Sequence, residues 1–323
     1  MTGRTQQKMP ADLAAAGARF LVADRRDGPA LAGVLGGGAD LLVDAACYTE
    51  ADARQLLPHL SAVTSAVMLS SKAVYVDPAG NHVNSVVPPR FDAPVVESNP
   101  TMNPGARVYD SPLGYGANKV AAEHALLDSG YPVTVIRASK VHGEGAARPR
   151  EWMFVKRILD RRPAVFLAHE GQGGDHTTAA VNTAALVETV AAAPGARILN
   201  SADPDAPNAR QIAGVIARYL GHEWNEVLLD DAAPAGLGDH PWDYRPPLVL
   251  STKASLDLGY EPVGTFAQTI PGQVDWLVKE AAAGRVPGTG DPFLEHYLDY
   301  SREDAFTGTR DLPAKGAGAV PAE

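Results

Sequence analysis

The chain has 323 residues, of which 45% are hydrophobic and 20% charged, and its formal net charge is -10. This length accommodates one large α/β unit or two domains that share a core. No apolar run approaches the roughly 18 residues that a membrane span needs, and the few clustered bases lie beside acids or apolar residues. We therefore expect neither a membrane nor a nucleic acid as a partner.

The single cysteine, Cys47, excludes an internal disulfide and leaves no ligand set for zinc. The chain begins with Met-Thr-Gly-Arg-Thr-Gln-Gln, which lacks the apolar stretch of a signal peptide. A reducing compartment agrees with both observations. We expect a cytoplasmic protein that holds no metal.

Short apolar runs bounded by Gly, Asp or Pro alternate along the chain with segments of helical period. This alternation is typical of a parallel sheet covered by helices on both faces. Continuous apolar runs suit strands that are buried on both faces. The pattern therefore predicts an α/β fold with a doubly wound, Rossmann-like parallel sheet, with strands at 19–24, 41–44, 66–70 and 133–137 and helices at 49–59 and 115–129.

The stretch 77–111 interrupts this pattern with six prolines and several Asn and Gly residues, which predicts a long surface loop. The tail from residue 287 is rich in Gly, Ala and Pro, and we expect about its last ten residues to be mobile. Between them we predict helices at 151–159, 180–193, 208–220 and 265–283, the last interrupted by Pro271, and strands at 197–200 and 225–229.

Tyr115 and Lys119 lie four residues apart on the helix predicted after the proline-rich loop, which places the phenol and the ammonium on one face. A neighbouring ammonium favours the phenolate, so we expect Lys119 to lower the pKa of Tyr115. Ser70 and Ser71 follow a predicted strand directly, at the carboxyl end of the sheet, where open α/β folds bind ligands. Ser71 could polarise the same substrate oxygen, and this pattern indicates general acid/base chemistry.

The order Ser-Ser-x-x-Val-Tyr at 70–75, Tyr-x-x-x-Lys at 115–119 and Val-Thr-Val-Ile-Arg at 133–137 followed by Val-His-Gly resembles the extended short-chain dehydrogenase/reductases, the NAD-dependent epimerase/dehydratase family. Segment 40–48 is similar to the part of that family beside the dinucleotide. Segment 251–262 and the following helix with Trp276 and Leu277 are similar to its C-terminal signature. The resemblance covers most of the chain.

The resemblance implies a nicotinamide dinucleotide, with Tyr115 as acid/base, Lys119 holding the ribose and Ser71 as a hydroxyl partner. It also implies a small-molecule substrate, in many members a nucleotide sugar, and a homodimer formed through helices 49–59 and 115–129. His142 stands where the family often has tyrosine, and Ala138 where it often has proline, so the substrate class stays open. The remaining implied cofactor contacts are Ala45, Ala46, Ser70, Ala138, Ser139 and Val141.

The start of the chain departs from the family, whose first strand leads into a Thr-Gly-x-x-Gly-x-x-Gly turn that approaches the pyrophosphate. Here Gly3 is the single glycine before Pro10, and we expect the central strand to be missing. Three explanations stay open: a misplaced start codon or frameshift, true loss of dinucleotide binding, or a rebuilt phosphate site. The rebuilt site would use Arg4, Gln6, Gln7 and Lys8.

Two neighbouring residues point to different cofactors. Asp24 stands where an acid takes the adenosine ribose hydroxyls, which favours NAD. Arg25, together with Arg26, could instead hold the 2'-phosphate of NADP, because guanidinium groups pair well with phosphate. A solvated charged turn is the plain alternative.

Candidate substrate contacts follow the nicotinamide-lining segment. Arg148 and Arg150 could grip a diphosphate, and Trp152 could stack on a ring. His176 lies beside a glycine-rich loop that the family uses near its substrate. The alternative is that the arginines are solvated and that Trp152 packs its helix against the core.

We therefore expect a Rossmann-like dinucleotide-binding domain over 1–143 with an incomplete beginning, a substrate-binding region over 144–286 that is interleaved with the sheet, and a partly flexible extension over 287–323. The expected activity is that of an NAD(P)-dependent oxidoreductase or epimerase. It would exchange a hydride and a proton at a secondary alcohol or ketone. The alternative is a cofactor-independent binding or scaffold protein that keeps the fold but has lost the dinucleotide.

Overall fold

The computed structural model describes residues 1–105 and 108–309, which form two compact units. The first comprises Met1–Val87, Asn99–Arg137 and Val187–Leu199. The second comprises Pro88–Ser98, Ala138–Leu186 and the chain from Asn200 onward. Both units are assembled from separated stretches of chain.

The strands of the described residues are β1 Thr2–Gly3, β2 Leu21–Val22, β3 Ala39–Asp44, β4 Val63–Ser71, β5 Val133–Ala138, β6 Lys140–His142, β7 Ala164–Leu167, β8 Thr177–Ala179, β9 Arg197–Ser201 and β10 Asn225–Leu228. The helices are α1 Ala11–Ala15, α2 Gly28–Leu35, α3 Glu50–Leu56, α4 Pro112–Leu127, α5 Trp152–Leu159, α6 Ala180–Ala192, α7 Ala209–Tyr219, α8 Lys253–Asp257, α9 Phe266–Thr269, α10 Pro271–Ala282, α11 Pro292–Leu298 and α12 Ser301–Thr309. Short 3-10 helices lie at Gln6–Lys8, Leu57–Ala62, Lys72–Val74 and Ala168–Gly171.

The four-stranded sheet, in the order β3-β4-β5-β9, organises the first unit. β3 and β4 are parallel, with Leu42 opposite Ala66 and Asp44 opposite Met68. β5 is buried along its whole length and β4 along most of it, as expected for strands covered on both faces. The predicted doubly wound α/β fold is confirmed.

Local signals explain where the two helices beside β4 begin. Ser111 accepts a hydrogen bond from the Gly114 amide and is followed by a proline, an arrangement typical of a helix start. α3 begins with a reciprocal capping box between Thr49 and Asp52. These caps position α3 and α4, which both pack in the first unit.

The beginning of the first unit has short strands and few buried residues. The expected loss of the first strand is corrected to a two-residue strand, β1, which pairs in parallel with β2. β2 covers only part of the predicted 19–24, and its residues Leu21 and Val22 are 51% and 63% exposed. α1 buries none of its residues. Almost all of this segment therefore lacks hydrophobic packing.

The second unit contains two short parallel sheets, β6-β8 and β7-β10. Its main hydrophobic core is built on large aromatic side chains, with Phe154 and Trp242 stacked at a centroid distance of 5.7 Å. The predicted helix 265–283 divides at Ile270 into α9 and α10, where Pro271 removes an amide donor.

The C-terminal extension contains two helices that the sequence patterns did not predict, α11 and α12. α11 packs its buried Leu294 in the second unit, and Glu303 of α12 is buried and accepts from Arg157 of α5 at 2.6 Å. The last ten residues, predicted to be mobile, lie outside the described residues. No helix in the described part of the chain is long and apolar enough to cross a membrane.

Candidate functional site

Ser71, Tyr115 and Lys119 all belong to the first unit. Ser71 is the last residue of β4 and caps the following 3-10 helix by accepting from the Ala73 amide at 3.2 Å. Gly116 lets α4 approach this turn, since a Cβ there would lie 2.5 Å from the Ala73 carbonyl oxygen. The approach brings Tyr115 within hydrogen-bonding reach of the Ser71 side chain.

The pKa of Tyr115 is raised above its ordinary value, with burial as the main cause and the neighbouring Tyr48 as a smaller one, while the hydrogen bond with Ser71 opposes the shift. The phenol is therefore protonated at neutral pH and can donate a proton. This differs from the expectation that Lys119 lowers this pKa. The physical reason is that the ammonium is directed elsewhere.

Lys119 donates to two backbone carbonyls, those of Cys47 and Leu69, each at 2.8 Å. The ring of Tyr48 lies over the ammonium, with 4.7 Å between Nζ and the ring centroid. Burial lowers the pKa of Lys119, and surrounding groups led by Cys47 and Asp44 oppose that shift. An ammonium has three donors, so two carbonyls leave one donor for a ligand.

Cys47 is fully buried, and burial, followed by the charge of Asp44, raises the pKa of its thiol to about 12. A thiol with this pKa is not a nucleophile near neutral pH. Its role at the site is to offer its carbonyl oxygen to Lys119.

A buried charged network beneath the trio was missed by sequence reasoning. Glu123 is fully buried, accepts from the Ser70 hydroxyl at 2.5 Å, and pairs with Arg137 of β5 at 2.6 Å. The guanidinium also lies 4.9 Å from the ring centroid of Tyr75. The signal in the sequence was the spacing, because Glu123 follows Lys119 by four residues on the face of α4 that carries Tyr115. The network ties α4 to β4 and β5.

The residues predicted to bind the adenosine part of the dinucleotide follow the carboxyl ends of β2 and β3. Asp24 is exposed, and its Oδ1 accepts from the Arg26 amide at 2.9 Å. Ala45 and Ala46 are exposed directly after β3, where a ligand can reach their backbone. Arg25 forms ion pairs with Asp44 at 2.5 Å and with Asp52 on α3 at 2.6 Å. Its guanidinium therefore belongs to a cluster within the protein.

Asp24, Ala45 and Ala46 could bind the adenosine part of a dinucleotide, and Lys119 could bind its nicotinamide ribose. The glycine-rich turn that would bind the diphosphate is not present before α1. A Cβ on Gly3 would meet the ring of Phe20 at 3.0 Å, so this glycine serves packing. Arg4, Gln6 and Gln7 are exposed in the turn that follows. α1 has five residues and no capping side chain, which makes it a poor dipole for a phosphate.

The predicted substrate contacts Arg148, Trp152 and His176 lie in the second unit, where each already interacts with other residues of the protein. Arg148 pairs with Asp291 at 2.6 Å, and Trp152 is 2% exposed within the core. His176 is buried, with Nε2 at 2.9 Å from the Asp203 carbonyl oxygen and Nδ1 accepting from the Leu250 amide at 3.1 Å. Trp152 and His176 are therefore not open to a ligand, because packing and backbone bonds occupy them.

The predicted nicotinamide-lining residues also belong to the second unit, apart from Ser70. Ala138 is buried, and Ser139 donates from its hydroxyl to the His176 carbonyl oxygen at 2.5 Å. Val141 is 44% exposed. Among the residues that the structure describes, no group of His, Cys, Asp and Glu could hold a metal ion.

The sequence matches no protein-family model and no curated protein. Solved structures do resemble the chain. UDP-glucose 4-epimerase from Thermotoga maritima, with UDP-glucose, is 15% identical, with a TM-score of 0.61 over 87% of this chain and 90% of that chain. A double mutant of dTDP-glucose 4,6-dehydratase from Streptomyces venezuelae, with NAD bound, is 20% identical, with a TM-score of 0.58 over 84% of each chain.

A third structure, UDP-glucuronic acid 4-epimerase from Bacillus cereus with UDP-glucuronic acid and NAD, is 13% identical, with a TM-score of 0.58 over 83% of this chain and 85% of that chain. The chain has the fold of these epimerases and dehydratases. This is the Rossmann-like fold that the motifs predicted. Identities this low carry no activity across, so the chemistry must be argued from the residues of this chain.

Proposed function

We propose that the protein is an NAD(P)-dependent oxidoreductase or epimerase of the extended short-chain dehydrogenase/reductase type, acting at a secondary alcohol or ketone. One observation carries the proposal: Ser71, Tyr115 and Lys119 lie in one unit, with the phenol within hydrogen-bonding reach of the serine and the ammonium of Lys119 buried on two backbone carbonyls. Packing alone does not require two polar groups and a buried cation at the end of a sheet.

In the proposed mechanism Ser71 and Tyr115 both donate to the substrate oxygen. The dinucleotide, when bound, supplies or accepts the hydride. In the reducing direction Tyr115 transfers its proton to the developing alkoxide, which requires the protonated phenol that burial favours. In the oxidising direction the phenolate takes that proton. Lys119 would hold the ribose with its remaining donor.

The cofactor would be NAD or NADP, held by Asp24, Ala45, Ala46 and Lys119, with Asp24 favouring NAD. Ser70, Ala138, Ser139 and Val141 stay predicted contacts of the nicotinamide end. Gly3 and Arg25 are not proposed as contacts, because Gly3 packs against Phe20 and Arg25 is paired with Asp44 and Asp52. The resemblance to structures solved with UDP-sugars supports a nucleotide sugar as the substrate. We further propose a cytoplasmic homodimer paired through α3 and α4.

The alternative of a non-catalytic scaffold is not favoured, because the buried network of Glu123 and Arg137 stabilises the part of α4 that carries the trio. A scaffold would have no need to maintain Lys119 in a desolvated position, where a cation is costly.

The test combines cofactor binding with turnover. Titration calorimetry with NADH and NADPH is expected to show binding of at least one of them. With UDP-glucose, UDP-glucuronic acid and dTDP-glucose as substrates, Tyr115→Phe is expected to lower kcat by about 100-fold or more at unchanged dinucleotide affinity. Tyr219→Phe, which removes an exposed phenol bonded to Asp275, is the matched control and should keep full activity. Full activity of Tyr115→Phe would contradict the mechanism.

A further inference from the structure

A cluster of three charged side chains joins the turn after β2 to β3 and α3, at the end of the first unit predicted to bind the adenosine of the dinucleotide. The guanidinium of Arg25 lies between two carboxylates, with Nη2 at 2.5 Å from Asp44 Oδ2 and Nη1 at 2.6 Å from Asp52 Oδ1. Nη2 also donates to the Asp52 carbonyl oxygen at 3.3 Å. We call Arg25, Asp44 and Asp52 the arginine clamp. Within the clamp, Arg25, the residue directly after Asp24, has both arms of its guanidinium paired with carboxylates.

Other bonds hold both acids of the clamp in place. Asp44 Oδ1 accepts from the Ala46 amide at 2.9 Å. Asp52 Oδ2 accepts from the Thr49 amide and hydroxyl, each at 2.9 Å, and from the Tyr48 amide at 3.1 Å. Burial raises the pKa of Asp52, but the Thr49 hydrogen bond and the Arg25 charge outweigh it, so the net shift is downward. Both carboxylates are therefore fixed in position beside Arg25.

The charge around the clamp is negative. Asp24 and Asp27 are exposed beside it, with Asp27 capping α2 through the Ala30 amide. Four carboxylates thus face two guanidinium groups, and one of these, Arg25, is already paired twice. The other, Arg26, is exposed. A 2'-phosphate carries close to two negative charges near neutral pH and would meet this surface without a free cation from the clamp.

We propose that the arginine clamp makes this chain selective for NAD(H) over NADP(H). It rests on the proposed function, since it concerns the cofactor of that site. Pairing with Asp44 and Asp52 withdraws Arg25 from a 2'-phosphate and leaves Asp24 to accept from ribose hydroxyls. An arginine directly after Asp24 would ordinarily indicate NADP. Here the charge of Arg25 is instead neutralised by Asp44 and Asp52, which are distant from it in the sequence.

The experiment measures dissociation constants of NADH and NADPH by calorimetry on the full chain. The wild type is expected to bind NADH at least about 10-fold more tightly. Asp44→Asn/Asp52→Asn keeps oxygens that accept the backbone amides but removes both charges, so it should raise NADPH affinity by about 10-fold or more. NADH affinity should change by less than about 3-fold.

Two further variants identify the cause. Adding Arg25→Ala to the double variant should abolish the gain in NADPH affinity, because the released guanidinium is the group that binds the phosphate. Glu50→Gln removes a charge from the same helix but from the exposed pair with Arg54, and should leave the preference within about 2-fold. If the double variant folds poorly by circular dichroism, each single Asp→Asn variant should shift the preference part of the way.

Equal binding of both dinucleotides by the wild type, or a preference for NADPH, would overturn the inference while leaving the proposed function intact. So would a double variant with unchanged preference, since Asp24 alone would then account for selection. Binding of neither dinucleotide would overturn the proposed function itself, and the clamp would be a structural tie.

Discussion

The first unit contains two regions built in opposite ways. The floor of the site, formed by β4 and α4, is buried and cross-linked by Glu123 and Arg137. The stretch 1–38 has two strands of two residues, and a small buried cluster joins Leu31 and Leu35 of α2 to Leu56. The side that carries the proposed acid/base groups is thus tightly packed, whereas the side proposed to bind the dinucleotide has little packing.

This difference in packing matches the different needs of proton transfer and of dinucleotide binding in the proposed reaction. Proton transfer needs groups held in a fixed geometry, which a packed and charge-paired floor provides. Dinucleotide binding can use a segment that has little packing of its own, at a cost in affinity. We therefore expect variants in the floor to affect stability and turnover together, and variants in 1–38 to affect cofactor binding far more than folding.

The largest expected effect comes from breaking the buried pair. Glu123→Gln leaves the Arg137 guanidinium buried without its carboxylate and should lower the free energy of unfolding by about 3–5 kcal/mol, measured by urea denaturation. Glu50→Gln, in an exposed pair, should cost about 0.5 kcal/mol or less. Replacing both buried partners, as Glu123→Leu/Arg137→Met, should recover most of the loss. An equal loss of unfolding free energy in Glu123→Gln and Glu50→Gln would show that the buried pair is no more important for stability than the exposed one.

Ligand addition should strengthen the weak region selectively. NADH at about 100 times its dissociation constant is expected to stabilise the chain by about 2.7 kcal/mol. By hydrogen exchange, amides in β2 and α2 should gain more protection than those in β4, because β4 is already closed without ligand. A gain confined to β4 and α4 would show that 1–38 takes no part in binding.

Glycine substitutions probe how tightly each region is packed. Gly116→Ala should cost about 1–3 kcal/mol and reduce turnover, because its Cβ would collide with the Ala73 carbonyl and with Met102. Gly33→Ala in α2 meets no atom within 4 Å and should stabilise by up to about 1 kcal/mol through helix propensity. Thermal unfolding measures both, and destabilisation by Gly33→Ala would show hidden packing around α2.

The smallest effect is expected at β2. Leu21→Ala removes an exposed side chain and should change the unfolding free energy by no more than about 0.5 kcal/mol. The same change at the buried Leu126 of α4 should cost about 2–5 kcal/mol. Chemical denaturation of the two variants compares the regions directly, and a cost above about 2 kcal/mol at Leu21 would place β2 in a packed interface.

Local patterns were sufficient for most of the fold. β3, β4, β5, α4 and α7 lie within a few residues of their predicted positions, because apolar runs and caps are local signals. The very short strands β1, β6 and β8 carry too few residues to show a period. α11 and α12 were not predicted, because their stability depends on partners distant in the chain: Leu294 and Leu298 of α11 pack in the second unit, and Glu303 of α12 pairs with Arg157.

The sequence by itself determined the α/β architecture and the placement of Ser71 after a strand and of Tyr115 and Lys119 on a helix, since spacing and hydrophobic period are written in adjacent residues. Only the tertiary structure decided what surrounds them. It placed Lys119 on two carbonyls, raised the pKa of Tyr115 by burial, put Glu123 under the trio and paired Arg25 with two acids. Each of these depends on groups far apart in the chain, whose distances exist only once the sheet has formed.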